Sequence, residues 1–398
     1  MSHLMNTYGR QPVAFTHGEG VWVWDTGGKR YLDALAGIAV NTLGHAHPKL
    51  TRVLTEQVGR LMHTSNLYRI TAQEQAADKI AKISGMDNVF FCNSGCEANE
   101  AAIKLARLYG HRKGIELPSI IVMEQAFHGR TLATLSATGN KKVQQGFEPL
   151  VPGFVRVPFN DIEAVRAVAA GDKSVVAVLV EPIQGEGGIN VSTLEYLRAL
   201  RAECDRHGWL LMLDEVQCGI GRTGKWFAFQ HGSLLPDVIT LAKGLGSGVP
   251  IGACVARGAA AGVFKAGNHG STFGGNPLAS AAALATLEII EQDKLMDNAV
   301  KTGALIREGM AAALAGTTGL RQIRGMGLML GIELDRPCGE LVDIAREAGL
   351  LINVTVESVI RLLPPLVIGE AEAKEIVARL APIVKSFLAK PRTAAAQG

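Results

Sequence analysis

The chain has 398 residues, 47% hydrophobic and 19% charged, which excludes a disordered protein and supplies enough apolar material for a large core. Forty basic against 37 acidic side chains leave a net charge of +3, too small a bias to indicate nucleic acid or a membrane surface as partner. The six cysteines form no C-x-x-C pair, which argues against zinc and against a disulfide framework, and no apolar stretch approaches the ~18–20 residues of a membrane helix.

In chain order, "MSHLMNTYGRQPVAF" comes first and has neither the apolar core of a signal peptide nor the Arg/Ser-rich look of a transit peptide, so a reducing cytoplasm is expected. "GVWVWDTGGKRYLDAL" alternates Val21 and Val23 with Trp22 and Trp24, turns at Gly27–Gly28 and resumes at Tyr31, the pattern of a small antiparallel hairpin. From about residue 88 short apolar runs follow: "NVFFCN", "SIIVME", "SVVAVLVEP", "WLLMLDEV", "DVITLAK" and "IGACVA". Among them "STLEYLRALRAECDRHG" has the 3.6-residue period of an amphipathic helix ending at Gly208. Apolar strands alternating with helices predict an α/β fold with a largely parallel sheet covered on both faces. A long helical stretch after residue 276, the strand "GLMLGIEL" and the segment "VIRLLPP" predict a second, smaller α/β domain. The expected division is an N-terminal segment 1–50 packing with the small domain, a large domain 51–280 and a small domain 281–398. The tail "AKPRTAAAQG" reads as frayed.

Three strand ends carry chemistry, and in such sheets ligands gather at the carboxyl ends of strands. "FFCNSGCEANEAAIKLARLYG" is a strand, a Ser94–Gly95 turn and a helix. Ser94 with Glu97 reads as a capping box, and the N–H groups of Gly95 and Cys96 at the helix start read as an anion site. "WLLMLDEVQCGIGRTG" ends its apolar strand on Asp214. The next strand, "DVITLAKGLGSGVPIGA", ends on Lys243, an amine where burial is costly. One reading of Lys243 is a surfacing strand whose lysine snorkels into water. The other joins all three features on one rim as pyridoxal phosphate chemistry: Lys243 as the imine-forming amine and later proton carrier, Asp214 on the ring nitrogen, and the helix start on the phosphate.

The stretches "GIAVNTLGHAHPKL", "NSGCEANEAAIKLAR", "FHGRTLATLSATG", "VEPIQGEGG", "LDEVQCGIGRTG", "LAKGLGSGVPIGA" and "HGSTFGGNPLA" occur in this order. Together they resemble the class III aminotransferases of the fold-type I pyridoxal phosphate group along essentially the whole chain, and most of all the acetylornithine-using members. The resemblance implies Lys243 as the Schiff-base lysine and Asp214 as its catalytic partner at the pyridinium nitrogen. It implies Ser94, Gly95 and Cys96 on the phosphate of pyridoxal 5'-phosphate, and Phe127 stacked on its ring. Glu215, Val216 and Gln217 are implied beside the cofactor, Gln217 near the phenolic oxygen. Thr272 is implied to reach the phosphate of the neighbouring subunit, with Ser271 near substrate, which makes the site a property of a homodimer. Cys96 departs from the threonine usual in the family and weakens one phosphate contact, since a thiol is a poor donor.

The same resemblance implies substrate carboxylates held by Arg130 and Arg361, bidentate arginine being suited to the task. Glu186 is implied to pair with Arg361 when the donor reacts through its distal amine and to release it for glutamate. Gly37 stands where relatives acting on free ornithine carry a tyrosine, which favours an acylated donor. The implied reaction moves the δ-amino group of N2-acetyl-L-ornithine to 2-oxoglutarate, giving N-acetylglutamate 5-semialdehyde and glutamate, a step of arginine biosynthesis. The alternatives are an aminotransferase for succinylated diamines, ornithine or 4-aminobutyrate, an aminomutase, or a non-catalytic scaffold. His45 and His47, spaced H-x-H, lack a third metal ligand and read as a turn; His128 reads as ordering its loop.

Overall fold

The computed structural model describes residues 3–391, so most of the tail read as frayed lies outside the described residues. Near the N-terminus are β1 (Phe15–Glu19), β2 (Trp22–Asp25) and β3 (Arg30–Asp33). The middle of the chain contributes β4 (Asn88–Cys92), β5 (Ser119–Met123), β6 (Phe154–Val157), β7 (Val175–Val180), β8 (Ile183–Gln184), β9 (Asn190–Val191), β10 (Leu210–Asp214), β11 (Val238–Leu241) and β12 (Gly252–Ala256). Beyond it come β13 (Leu320–Met326), β14 (Met329–Leu334), β15 (Leu350–Leu351), β16 (Asn353–Thr355) and β17 (Val359–Leu362).

Seven strands form the central sheet in the order β4-β12-β11-β10-β7-β5-β6. Every residue of β5, β7, β10 and β11 is buried, as runs without polar alternation require when helices cover both faces. The pairs β11–β10, β10–β7, β7–β5 and β5–β6 are parallel. β12 runs antiparallel to both its neighbours, β11 and β4. Residues 242–251 alone join β11 to β12, too few for the dozen or more that a parallel crossover needs, so the chain must double back. That short return is the segment holding Lys243. β6 escaped sequence reading because its four residues, half-exposed at the sheet edge, lack a continuous apolar run.

The helix read between β9 and β10 runs over Leu194–His207. Thr193 caps it, its hydroxyl accepting from Tyr196 N–H at 3.1 Å, and Gly208 ends it in the left-handed region at φ 65°. Its buried face, Tyr196, Leu197, Leu200 and Cys204, follows the helical period.

The C-terminal strands form an antiparallel sheet, β13-β14-β17-β16; the helix Leu295–Ala313 packs against it, and the helix Glu370–Ala389 packs on that helix and on β15. The N-terminal hairpin pairs Val23 with Tyr31 as its alternation predicts, with β1 added outside. β15 extends this sheet by pairing in parallel with β3, Leu350 opposite Leu32, so the N-terminal segment shares a sheet with the C-terminal region.

Candidate active site

The carboxyl ends of β10 and β11, the start of the helix Gly95–Arg112 and the turn Phe127–Gly129 enclose a cavity of about 330 Å³. This is within the range of small cofactor sites.

The parallel register sets Asp214 opposite Thr240, which carries Lys243 three residues on to the same rim. Lys243 begins a tight turn and adopts φ 42°, a left-handed conformation that costs a residue with a Cβ roughly 1–2 kcal/mol. The turn is packed closely: a Cβ on Gly244 would sit 2.5 Å from Thr42 Oγ1. Burial lowers the pKa of the Lys243 amine; the nearby Glu186 carboxylate opposes that shift and the Arg361 charge reinforces it. An amine biased toward its neutral form is a nucleophile and a proton acceptor.

Asp214 is held by three groups. Its Oδ2 accepts from Asn99 Nδ2 at 2.8 Å and meets His128 Nδ1 at 2.8 Å, and its Oδ1 accepts from Val216 N–H at 3.0 Å. Thr240 Oγ1 donates to Asn99 Oδ1, so the strand that leads to Lys243 also orients the group that holds Asp214. His128, read from sequence as a loop-ordering residue, is buried with its Nε2 unpartnered and lines the cavity. Its place directly after Phe127 in "FHGR" was the available signal.

At the opposite end Ser94 Oγ accepts from Glu97 N–H at 3.2 Å. Glu97 does not return this to the Ser94 N–H; its Oε2 accepts from Asn93 N–H at 2.9 Å and Asn93 Nδ2 at 2.8 Å, so the capping box is half formed. A Cβ on Gly95 would lie 2.8 Å from Val216 Cγ1, which leaves only a bare backbone room to face an anion there. Cys96 Sγ accepts from Arg130 N–H at 3.2 Å. A helix start with glycine and hydroxyl donors, a flat Phe127 ring and a buried lysine opposite an aspartate together fit a planar, phosphate-bearing aldehyde.

Beyond Gln217 lies the pair Glu186–Arg361. Arg361 in β17 is fully buried and its Nη1 pairs with Glu186 Oε1 at 2.5 Å. The same nitrogen donates to Gln217 Oε1 at 3.2 Å, Nε donates to Asn353 Oδ1 at 3.1 Å, and Nη2 has no partner. Burial pushes the Glu186 carboxyl up, but the Arg361 charge and hydrogen bond outweigh it and hold its pKa below the ordinary value. Glu181, which sequence reading did not single out, also lines the cavity; its Oε1 accepts from Phe127 N–H at 2.8 Å and its Oε2 from Gly185 N–H at 3.1 Å. Burial pushes it up to about 7.

Of the residues expected at the site, Ser94, Gly95, Cys96, Phe127, Asp214, Val216, Gln217 and Lys243 line the cavity. Glu215 does not. Its carboxylate accepts from Ala228 N–H and Phe229 N–H, both at 2.9 Å, and so braces a neighbouring turn. Arg130 is exposed, with its guanidinium 5.7 Å from the Phe127 ring centre. Ser271 Oγ accepts from Asn93 Nδ2 at 3.1 Å at the edge of the site, while Thr272 is exposed and lies outside its own chain's cavity. Gly37 sits in a left-handed turn over Ala36–Ala39, and Val40 rather than Gly37 lines the cavity.

Comparison with known proteins agrees with this geometry. The family model described as "Aminotransferase class-III" matches residues 5–384. The acetylornithine aminotransferase of Nitrosomonas europaea is 61% identical over 98% of this chain and 99% of its own length. That of Gloeobacter violaceus is 50% identical over 95% and 94%. Among solved structures, the N-acetylornithine aminotransferase of Stenotrophomonas maltophilia superposes with a TM-score of 0.84 at 36% identity, covering 96% of this chain and 98% of that one. The ornithine aminotransferase of Toxoplasma gondii gives 0.93 at 35%, covering 97% and 93%. A match spanning nearly the whole chain, on a site built around Lys243 and Asp214, makes this protein a member of the class III aminotransferases, enzymes that work with pyridoxal 5'-phosphate.

Proposed function

We propose that the protein transfers the δ-amino group of N2-acetyl-L-ornithine to 2-oxoglutarate, yielding N-acetylglutamate 5-semialdehyde and glutamate, in arginine biosynthesis. The observation that carries this is the shared rim of Lys243 and Asp214 beside a closed Glu186–Arg361 pair. When bound, pyridoxal phosphate supplies an electron sink that makes the proton next to the reacting nitrogen removable.

The remaining work falls to the chain. Ser94, Gly95 and Cys96 would hold the phosphate, and Phe127 and Val216, which line the same cavity, would hold the ring. Asp214, steadied by Asn99 and His128, would present its carboxylate to the ring nitrogen. Lys243 would hold the cofactor's aldehyde and, with its amine free, would carry the proton at Nζ. Arg361 is neutralised by Glu186 while the acylated donor presents its distal amine, and is free to take a carboxylate when Glu186 swings aside. Arg130 at the rim meets the donor carboxylate. The named relatives across most of the chain length support the acetylated donor.

The site is proposed to be completed in a homodimer. Exposed Leu61, Met62, Leu67 and Tyr68 lie against the loop carrying Ser271 and Thr272, tied by Asn66 Nδ2 donating to Ser271 O and Gly274 O, with Phe273 exposed beside His63. Exposed apolar side chains on two segments joined beside an incomplete site fit a second copy of the chain. The division at residues 50 and 280 and a cytoplasmic location belong to the same reading; among the described residues no helix is long and apolar enough to cross a membrane.

Borohydride reduction and peptide mapping should locate the cofactor on Lys243 and nowhere else. Rates with acetylornithine, succinylornithine, ornithine and 4-aminobutyrate should rank acetylornithine first, and Lys243→Ala should cost about 10²–10⁴-fold. An adduct on another lysine, or a preference for free ornithine, overturns the assignment.

A further inference from the structure

β16 touches both halves of the Glu186–Arg361 pair. Asn353 stands directly opposite Arg361 in the β16–β17 ladder and accepts from its Nε at 3.1 Å. Two residues on, and therefore on the same face of the strand, Thr355 Oγ1 donates to the backbone carbonyl of Glu186. The β8–β9 hairpin that carries Glu186 is gripped on every side. Arg324 Nη2 donates to Gly188 O at 2.6 Å and its Nε to Ile189 O at 3.1 Å. Glu181 accepts from Gly185 N–H, and Gln184 Nε2 donates to Glu124 O at 2.7 Å. With its backbone held by both the central sheet and the C-terminal sheet, Glu186 retains only side-chain torsions. Its side chain is 35% exposed, which leaves it somewhere to turn, whereas that of Arg361 is 0% exposed.

We propose that Thr355 and Asn353 are positioning residues that set selectivity between the two amino donors. Thr355 fixes the Glu186 backbone so that the pair opens and closes by rotation of one side chain. Asn353 holds the guanidinium in place whether the pair is open or closed. This rests on the reading of Glu186 and Arg361 as a donor-dependent pair, and it extends that control to a strand that need not touch substrate.

Half-reaction kinetics of the holoenzyme test it. Thr355→Val should lower the ratio of kcat/KM for acetylornithine to that for glutamate about 2- to 10-fold, the worth of one neutral hydrogen bond. Thr355→Ser, which keeps the hydroxyl, should restore the ratio. Asn353→Ala should move it in the opposite direction by weakening the glutamate half. Calorimetry with glutarate, a non-reacting dicarboxylate, should show weaker binding in Asn353→Ala and unchanged binding in Thr355→Val. In a Glu186→Ala background Thr355→Val should add nothing. If it shifts the ratio equally in both backgrounds, or not at all, or if both substitutions weaken glutarate alike, the positioning roles fall while the pair stands. If Glu186→Ala itself affects the two half-reactions equally, the pair falls and this proposal with it.

Discussion

Glu215 illustrates how one residue's neighbours decide its use. Sequence places it next to Asp214 and against the cofactor, yet just past the end of β10 its carboxylate turns away to hold Ala228 and Phe229. Burial there pushes Glu215 up to about 7 from an ordinary value of 4.5. The folded chain therefore keeps a proton that the unfolded chain has released between those values. The stability gained is complete below about 4.5 and lost as pH rises through about 7. Urea unfolding at about pH 5 and about pH 8 should show stability falling with pH, and falling less in Glu215→Gln, which has no proton to lose. An equal fall in both proteins would acquit Glu215. Lys243 and Asp214 could be picked out from sequence because each stands at the end of a largely apolar run; "FHGR" marked His128 but not its partner Asp214, 86 residues away, and nothing local marked Glu181, whose partner Phe127 lies 54 residues away.

At the scale of elements, the strongest sequence signals were the ones realised. β5, β7, β10 and β11 are continuous apolar runs, and the helix Leu194–His207 has both a cap and a glycine stop. Thr193 closes that helix with one hydroxyl, so Thr193→Ala should destabilise the protein by about 1 kcal/mol in denaturant titrations, with cofactor absorbance unchanged. A loss near zero would mean that packing of the Tyr196–Leu200 face alone holds the helix start. β6 and β1 were illegible, since an edge strand needs neither full burial nor strict alternation. The reversal of β12 was legible in principle: the linker length forbids a crossover.

For the whole molecule, the surface around Leu67, Tyr68 and Phe273 leaves these large apolar side chains 87%, 70% and 60% exposed. If a second copy covers it, Phe273→Glu should convert dimer to monomer in sedimentation velocity and, by withdrawing Thr272 from the partner's site, weaken cofactor retention. A dimer that survives this change places the interface elsewhere.

The sequence by itself determined the α/β class, the rim lysine with its aspartate and the capped helix start at Ser94–Gly95, because each is written in contiguous residues: apolar runs, their polar ends and a capped glycine turn. Only the tertiary structure decided that His128 and Asn99 share Asp214, that Glu215 faces away, and that β15 ties the C-terminal region to the N-terminal hairpin. Those contacts join residues far apart in the chain, where neither propensity nor spacing carries information and the packing of the whole sheet sets which side chains meet.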